Sequence, residues 1–313
     1  MTILKNRLFW PAAILVVLLV INAFTSNQFI TVRDGHLFGT LIDILRGSAP
    51  LMLVALGMTL VIATGGIDLS VGSVMAVAGA IAAVTLDRGI AVAIVLALLG
   101  ALVVGVVNGG LIARYRVQPI VVTLATLIAG RGLAQIISND GELVSIEQPF
   151  FLALGRGHLG PIPIPVVIAV IAVAAAIFVL RATTLGRYVL AVGGNAPAAR
   201  LAGVPVRKTL VSVYAASAFL AGVAGLIVAA RLGASDAAKI GQNMELDAIA
   251  AVVVGGTALA GGRATIGGTV VGALIMQVIA TSFNMLLVPY AWSLALKAVI
   301  ILVAVYLQRG KRA

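Results

Sequence analysis

Ten apolar runs, spread along almost the whole chain, leave it few ways to fold. They cover roughly residues 8 to 25, 49 to 64, 70 to 86, 90 to 112, 118 to 137, 164 to 180, 209 to 231, 246 to 260, 265 to 284 and 290 to 307. Crossing the ~30 Å hydrocarbon layer of a bilayer takes about 20 apolar residues in a helix. A helix also satisfies its own backbone there, which an open sheet does not. The runs therefore predict an all-α membrane protein of about ten transmembrane helices, forming a single transmembrane domain over residues 1–313. Composition agrees: 62% of residues are hydrophobic and only 10% are charged, and the charges gather in the gaps between runs. The first run follows Lys5 and Arg7 as a signal peptide would, but its length and the lack of a small-x-small cleavage site predict a retained span.

Basic residues near span ends stay in the cytoplasm. With the N-terminus inside, the cytoplasmic segments hold Lys5 and Arg7, Arg114 and Arg116, Arg181, Arg187, Arg200, Arg207 and Lys208, Arg263, and Arg309, Lys311 and Arg312, thirteen of the 21 bases. The opposite side holds Asp34, Asp43, Asp87, Asp140, Glu142, Glu147 and Asp236, with Arg33, Arg46, Arg88, Arg156 and Lys239 as its bases. An even number of spans then places both the N-terminus and the C-terminus on the cytoplasmic side. The net charge of +11 is thereby read as a topology signal. No dense basic cluster interleaved with aromatics points to nucleic acid. The chain has no cysteine, which excludes disulfides, thiolate chemistry and Cys-based zinc sites. His36 and His158 lie in separate polar loops, so no metal site is expected.

Two gaps are long enough to be more than connectors. The external loop, 138–163, carries three acids and ends in Pro161, Pro163 and Pro165, which hold the chain extended. Its Gly155-Arg156-Gly157-His158-Leu159-Gly160 fits a dinucleotide fingerprint in letters, but no strand precedes it and no helix follows. The cytoplasmic loop, 181–208, carries five bases and no acid. In it, Asn195 as an N-cap with Pro197 just inside predicts a short helix that Gly203 ends.

The spans are rich in glycine, 35 in the chain. Gly105-x-x-x-Gly109 and Gly268-x-x-x-Gly272 read as close-packing faces. Gly65-Gly66-Ile67-Asp68-Leu69-Ser70-Val71-Gly72 joins two short spans and places a costly carboxylate near the membrane. Asp68 and Ser70 either line a transport pathway or form a turn in which Asp68 caps the following helix. Asn108, Arg131, Gln135, Gln277, Asn284 and Lys297 also sit in or near spans, as pathway groups or as interhelical hydrogen bonds. For Lys297 and Arg131, whose long stems can reach the interface, snorkelling is a further reading beside these. No nucleophile with a base, no HExxH and no phosphate-binding GxxxxGK[ST] occurs. The chain is read as non-catalytic, with no cofactor of its own, and any ATPase as another polypeptide.

Four ordered stretches carry a family resemblance over nearly the whole chain: Gly66 to Gly72; Gln118-Pro119-Ile120-Val121-Val122-Thr123-Leu124 with Arg131-Gly132; Leu185-Gly186-Arg187 with Gly193-Gly194-Asn195 and Ala198-Ala199-Arg200-Leu201-Ala202-Gly203; and Leu246-Asp247 to Gly255-Gly256 with Gly261-Gly262. The chain resembles the permease subunits of bacterial sugar ABC importers of the ribose, xylose and galactose type. Arg33 to Gly39 followed by Asp43-Ile44-Leu45 looks most like the galactofuranose members. The resemblance implies a type II-importer-like permease in the bacterial inner membrane, paired with a second copy or a paralogue. Its further partners are a cytoplasmic ABC ATPase, a periplasmic sugar-binding protein and membrane lipid. It also implies coupling to the ATPase through Gly194, Asn195, Ala198, Ala199, Arg200, Leu201 and Gly203, and a weakly polar pathway, for which Asp68, Ser70, Asn108, Arg131, Gln135, Asp247, Asn284 and Lys297 are the candidates. Pro197 stands where an acid is common in the family, and Met285-Leu286-Leu287-Val288-Pro289 lacks its usual glycines. A stand-alone ion-coupled carrier and an ABC permease for nucleosides or branched-chain amino acids are the alternatives.

Overall fold

The computed structural model describes residues 9–26, 28–33 and 35–309. Lys5, Arg7, Asp34, Lys311 and Arg312 lie outside the described residues. The chain runs α1 (Phe9–Thr25), α2 (Thr40–Ala63), α3 (Val71–Thr85), α4 (Ile90–Tyr115), α5 (Pro119–Ile137), α6 (Pro149–Arg156), α7 (Ile164–Ala182), α8 (Thr184–Gly194), α9 (Ala196–Leu201), α10 (Val206–Leu232), α11 (Met244–Val254), α12 (Ile266–Met285) and α13 (Tyr290–Arg309). Among the described residues, strands are limited to three short antiparallel pairs. These are β1 (Thr31–Arg33) with β2 (His36–Phe38), β3 (Val144–Ser145) with β6 (Ala234–Ser235), and β4 (His158–Leu159) with β5 (Ile162–Pro163). The fold is all-α, and seven helices, α2, α3 with its closing turn, α4, α5, α7, α10 and α12, are long and apolar enough to cross a membrane.

A helix lies on each of the ten apolar runs, with three departures. Helix α2 begins at Thr40, nine residues ahead of its run, and takes in Asp43 and Arg46. Hydropathy misses these turns because they are charged, yet Asp43 sits in the first turn, where a carboxylate suits the helix dipole. Helix α11 has 11 residues, and the rest of its run is a turn over 255–265. The segment 138–163, expected as a loop, contains α6, and 181–208 contains α8 beside the short helix expected after Asn195, α9. Thr183 and Asn195 cap the latter two, each accepting a hydrogen bond from a first-turn amide.

Burial is arranged for lipid rather than water. The most apolar spans, α4 and α7, have only 22% and 17% of their core window buried, while the less apolar α2 and α3 have 83% and 72%. In water that order would reverse, because exposing apolar area costs about 25 cal/mol per Å². Here the exposed faces are Val95, Leu99, Val103 and Val107 of α4 and Val170, Ile171 and Phe178 of α7.

Backbones approach closely at the centre. Helix α4 turns Ala93, Ala97, Ala101, Gly105 and Gly109, a small residue every fourth position, inward. A Cβ on Gly105 would lie 2.5 Å from the Tyr214 carbonyl oxygen, and one on Gly109 would lie 2.7 Å from Val211 Cα, both on α10. Gly268 and Gly272 likewise seat α12 on the backbone of Gly255 and Ala251. Both glycine pairs expected as packing faces are thus packing faces.

The chain passes from 138–163 to 181–208 through α7, whose 19 residues reach about 28 Å. The two segments therefore mark opposite ends of the bundle. The β1–β2 hairpin belongs to the 138–163 end, where the Leu37 amide donates to the Pro161 carbonyl at 3.2 Å.

Candidate functional site

Three of the polar residues singled out from the sequence meet in one buried knot. The segment 64–70 between α2 and α3 dips into the bundle, leaving Asp68 1% exposed and Ser70 and Asn108 fully buried. The Asp68 carboxylate accepts from the Ser70 amide (3.0 Å) and hydroxyl (2.6 Å) through Oδ1, and from the Ser217 hydroxyl of α10 (3.0 Å) through Oδ2. Asn108 of α4 donates to Ser70 Oγ at 3.0 Å and accepts from Thr126 of α5 at 2.6 Å. Thr123 adds a bond to the Ile67 carbonyl at 3.1 Å. A charge this deep is tolerable because three donors surround it, and the bonds tie α3, α4, α5 and α10 to one turn. The Asp68 turn is an Asx-type closure one residue before α3 begins, not a cap inside the helix.

Tyr214 of α10 is fully buried beside this knot, its hydroxyl 2.4 Å from where a Cβ on Gly66 would stand. That hydroxyl has no hydrogen-bond partner among the described residues. Nothing in the sequence singled it out, since a tyrosine in an apolar run reads as packing.

A second polar centre joins α11 to α13. Lys297 Nζ donates to both oxygens of Asp247, at 2.9 and 2.7 Å, and is 6% exposed. Of the readings open for Lys297 this is the interhelical bond and not snorkelling, since a carboxylate lies within reach. Arg131 does not snorkel either. Its Nη1 donates to the carbonyls of Ala237 (3.0 Å) and Ile240, closing the turn ahead of α11. Gln135 and Asn284 are exposed and join neither centre, and Gln277 bonds to Thr281 on its own helix.

The third assembly is mechanical. In α9 the Asn195 side chain caps the Ala198 amide at 3.0 Å, and Gly203, at φ +81°, ends the helix. The predicted cap, the proline inside it and the terminating glycine are all present. Ala199 points inward against Val192 and Val206, whereas Leu201 is 91% exposed. Gly194, Ala198 and Arg200 are also exposed. Gly193, at the tip of α8, lies where a Cβ would stand 1.8 Å from the Ala63 carbonyl oxygen and 2.5 Å from the Gly262 amide nitrogen. Those two groups hydrogen-bond each other at 2.9 Å. Three glycine doublets, 65–66, 193–194 and 261–262, therefore meet, and the end of α8 lies backbone against backbone on the end of α2 and the turn ahead of α12.

At the opposite end the two histidines, assigned to separate loops, stack with ring centroids 4.7 Å apart. Arg46 Nη2 lies 2.8 Å from His158 Nε2. Arginine only donates, so Nε2 is the acceptor and His158 is neutral. Burial first, then the Arg46 and His36 charges, hold its pKa below the ordinary imidazole value. His36 donates from Nδ1 to the Gly160 carbonyl at 2.9 Å. No group of three or more metal-ligating side chains occurs among the described residues.

The chain matches the family described as branched-chain amino acid transport system / permease component over residues 40–305. It is 42% identical to the galactofuranose transporter permease protein of Escherichia coli strain K12 over 97% of this chain and 92% of that one. It is 40% identical to the fructose import permease protein of Bifidobacterium longum, over 99% and 89% respectively. With the ribose import permease protein of Escherichia coli K12 it shares 39% identity over 95% and 92%. No solved structure matches the chain.

Proposed function

The chain belongs to the family of ABC-importer permease components, and from that premise we propose that it is the membrane-spanning subunit through which a monosaccharide, a pentose or hexose such as galactofuranose, passes. The observation that carries the proposal is identity of 37 to 42% with sugar import permeases over nearly the full chain. The family description mentions branched-chain amino acids, but the relatives named above import sugars. An uncharged cargo also fits a bundle in which Asp68 is held by three hydrogen-bond donors and Asp247 is paired with Lys297. Among the described residues no cluster of three or more carboxylate or histidine side chains awaits an ion, which disfavours a stand-alone ion-coupled carrier.

On this reading the ten helices on the apolar runs all traverse or enter the bilayer of the bacterial inner membrane, with both termini cytoplasmic. The 181–208 end faces an ABC ATPase on a separate subunit, and the 138–163 end faces a sugar-binding protein in the periplasm. A second copy or a paralogue completes the pathway. Leu201, almost wholly exposed at the end of α9, is the contact to the ATPase, and the glycine junction at Gly193 passes the ATP-driven movement into the spans. Ala199 supports α9 from within.

Reconstitution separates the readings. The chain alone in proteoliposomes is expected to show no uptake, and the chain with its ATPase and binding protein ATP-dependent uptake of the sugar that the binding protein retains. Proton-driven uptake by the chain alone sinks the proposal. Leu201→Asp is expected to lower ATPase co-purification severalfold while leaving the permease folded; unchanged co-purification removes α9 from that contact.

A further inference from the structure

At the 181–208 end, α4 and α10 border a hollow of about 450 Å³ lined by Gly110, Arg114, Arg207, Lys208, Val211 and Ser212, with Ala113 at its wall. Three cations converge there, and among the described residues none has a carboxylate within ion-pair distance. Two of them, Arg207 and Lys208, occupy the first turn of α10, whose positive end disfavours cations. All three are exposed, so their charge is open to an anion at the membrane surface.

Beyond the hollow α4 presents an apolar outer face. Val103, Val107, Gly110 and Arg114 fall on one stripe there, with Val103 and Val107 60% and 51% exposed, on the side away from Gly105 and Gly109, which pack on Ala215 and Val211 of α10. Gly110 keeps the floor open, since a Cβ there would have nothing within 4 Å. From Arg114 to Val103 this face runs eleven residues, about 16 Å along the helix. Exposed Tyr115, beside Arg114, has the amphipathic ring that favours headgroup depth.

We propose that this hollow is the headgroup site of an anionic phospholipid, its phosphate held by Arg114, Arg207 and Lys208 and one acyl chain lying along the exposed face of α4. Charge complementarity selects the headgroup. Depth selects lipid over a soluble partner: Gly110 lies about 8 Å inside the end of α4 and Ser212 about 9 Å inside the start of α10, on a flank that faces hydrocarbon. The site adjoins the coupling segment, because Val206, one residue before Arg207, packs on Ala199 of α9. A bound headgroup therefore pins the start of α10 just where movement of α9 is passed on.

The test is the thermal stability of the purified full chain in detergent with phosphatidylglycerol, with phosphatidylcholine of the same acyl chains, and with inorganic phosphate. Phosphatidylglycerol is expected to raise the unfolding temperature by several degrees beyond phosphatidylcholine, and phosphate to leave it unchanged. The R114Q/R207Q/K208Q variant is expected to lose most of that selectivity, and R181Q/R187Q/R200Q, an equal loss of charge at the same end, to keep it. Equal responses to the two lipids, an equal response to phosphate, or an equal loss in both triple variants overturns the proposal. Should the first variant fail to purify, Gly110→Leu takes its place: it fills the hollow without changing charge and is expected to lose the selectivity, and full retention overturns the proposal.

Discussion

At the scale of single residues, Tyr214 and His158 make opposite demands on their surroundings. The Tyr214 hydroxyl is buried without a partner among the described residues, and such a group costs about 1 to 3 kcal/mol. Tyr214→Phe is therefore expected to leave the unfolding temperature unchanged or raise it, with transport intact; a drop of several degrees would reveal a bond that the hydroxyl makes. His158 accepts from Arg46 only when neutral, and its folded pKa is depressed. In the window just below the ordinary value of 6.5, the free imidazole holds a proton that the docked one does not. Docking is thus fully present above pH 6.5 and weakens as pH falls through that window. Hydrogen exchange of the β1–β2 hairpin, corrected for intrinsic rates, is expected to quicken toward pH 5.5 in the wild type and to stay flat in His158→Gln, whose amide oxygen still accepts. An identical profile in the two proteins would rule out His158 as the titrating group. Neither behaviour was legible in the sequence. Tyr214 looked like any aromatic in an apolar run, and the histidines are 122 positions apart.

Between elements, the decisive contacts are one ion pair and one backbone junction. Removing one partner of a buried ion pair strands the other, at about 3 to 5 kcal/mol, whereas removing both costs far less. Asp247 is partly exposed, its side chain at 23%, which places Lys297→Met toward the lower end of that range. The single variant is expected to unfold several degrees below D247N/K297M, and equal melting would mean that the pair contributes nothing. Gly193→Ala drives a methyl into the Ala63 carbonyl. It is expected to retain ATPase stimulation while losing most uptake, whereas Gly194→Ala, with open space at its Cβ, leaves both intact. Loss of both activities in Gly193→Ala together with an unchanged unfolding temperature would argue against a transmitting role. The α9 cap was legible because Asn195, Pro197 and Gly203 act on their own neighbours. The Lys297 pair was not, because its partner sits 50 positions away and hydropathy ranks both residues only as flaws in apolar runs.

For the molecule as a whole, the class of fold was the most legible property, since ten apolar runs with charges in the gaps admit few other solutions. Which spans sit inside was not, because in lipid the ranking by hydropathy runs against the ranking by burial. The small-residue repeat of α4 was the better guide, as it marks the face that another backbone must touch. Helix α11 carries a different kind of information. Its 11 residues reach about 16 Å, roughly half the hydrocarbon thickness, and the glycine turn at 255–265 folds it back toward α12. A segment that short does not partition into a bilayer by itself as it leaves the ribosome. On the proposed topology it waits for α12 and enters as a hairpin, with Asp247 still unpaired until α13 delivers Lys297. The last third of the chain thus has a built-in order of assembly, and nascent chains that stop before α13 should be the ones that quality control recognises and degrades.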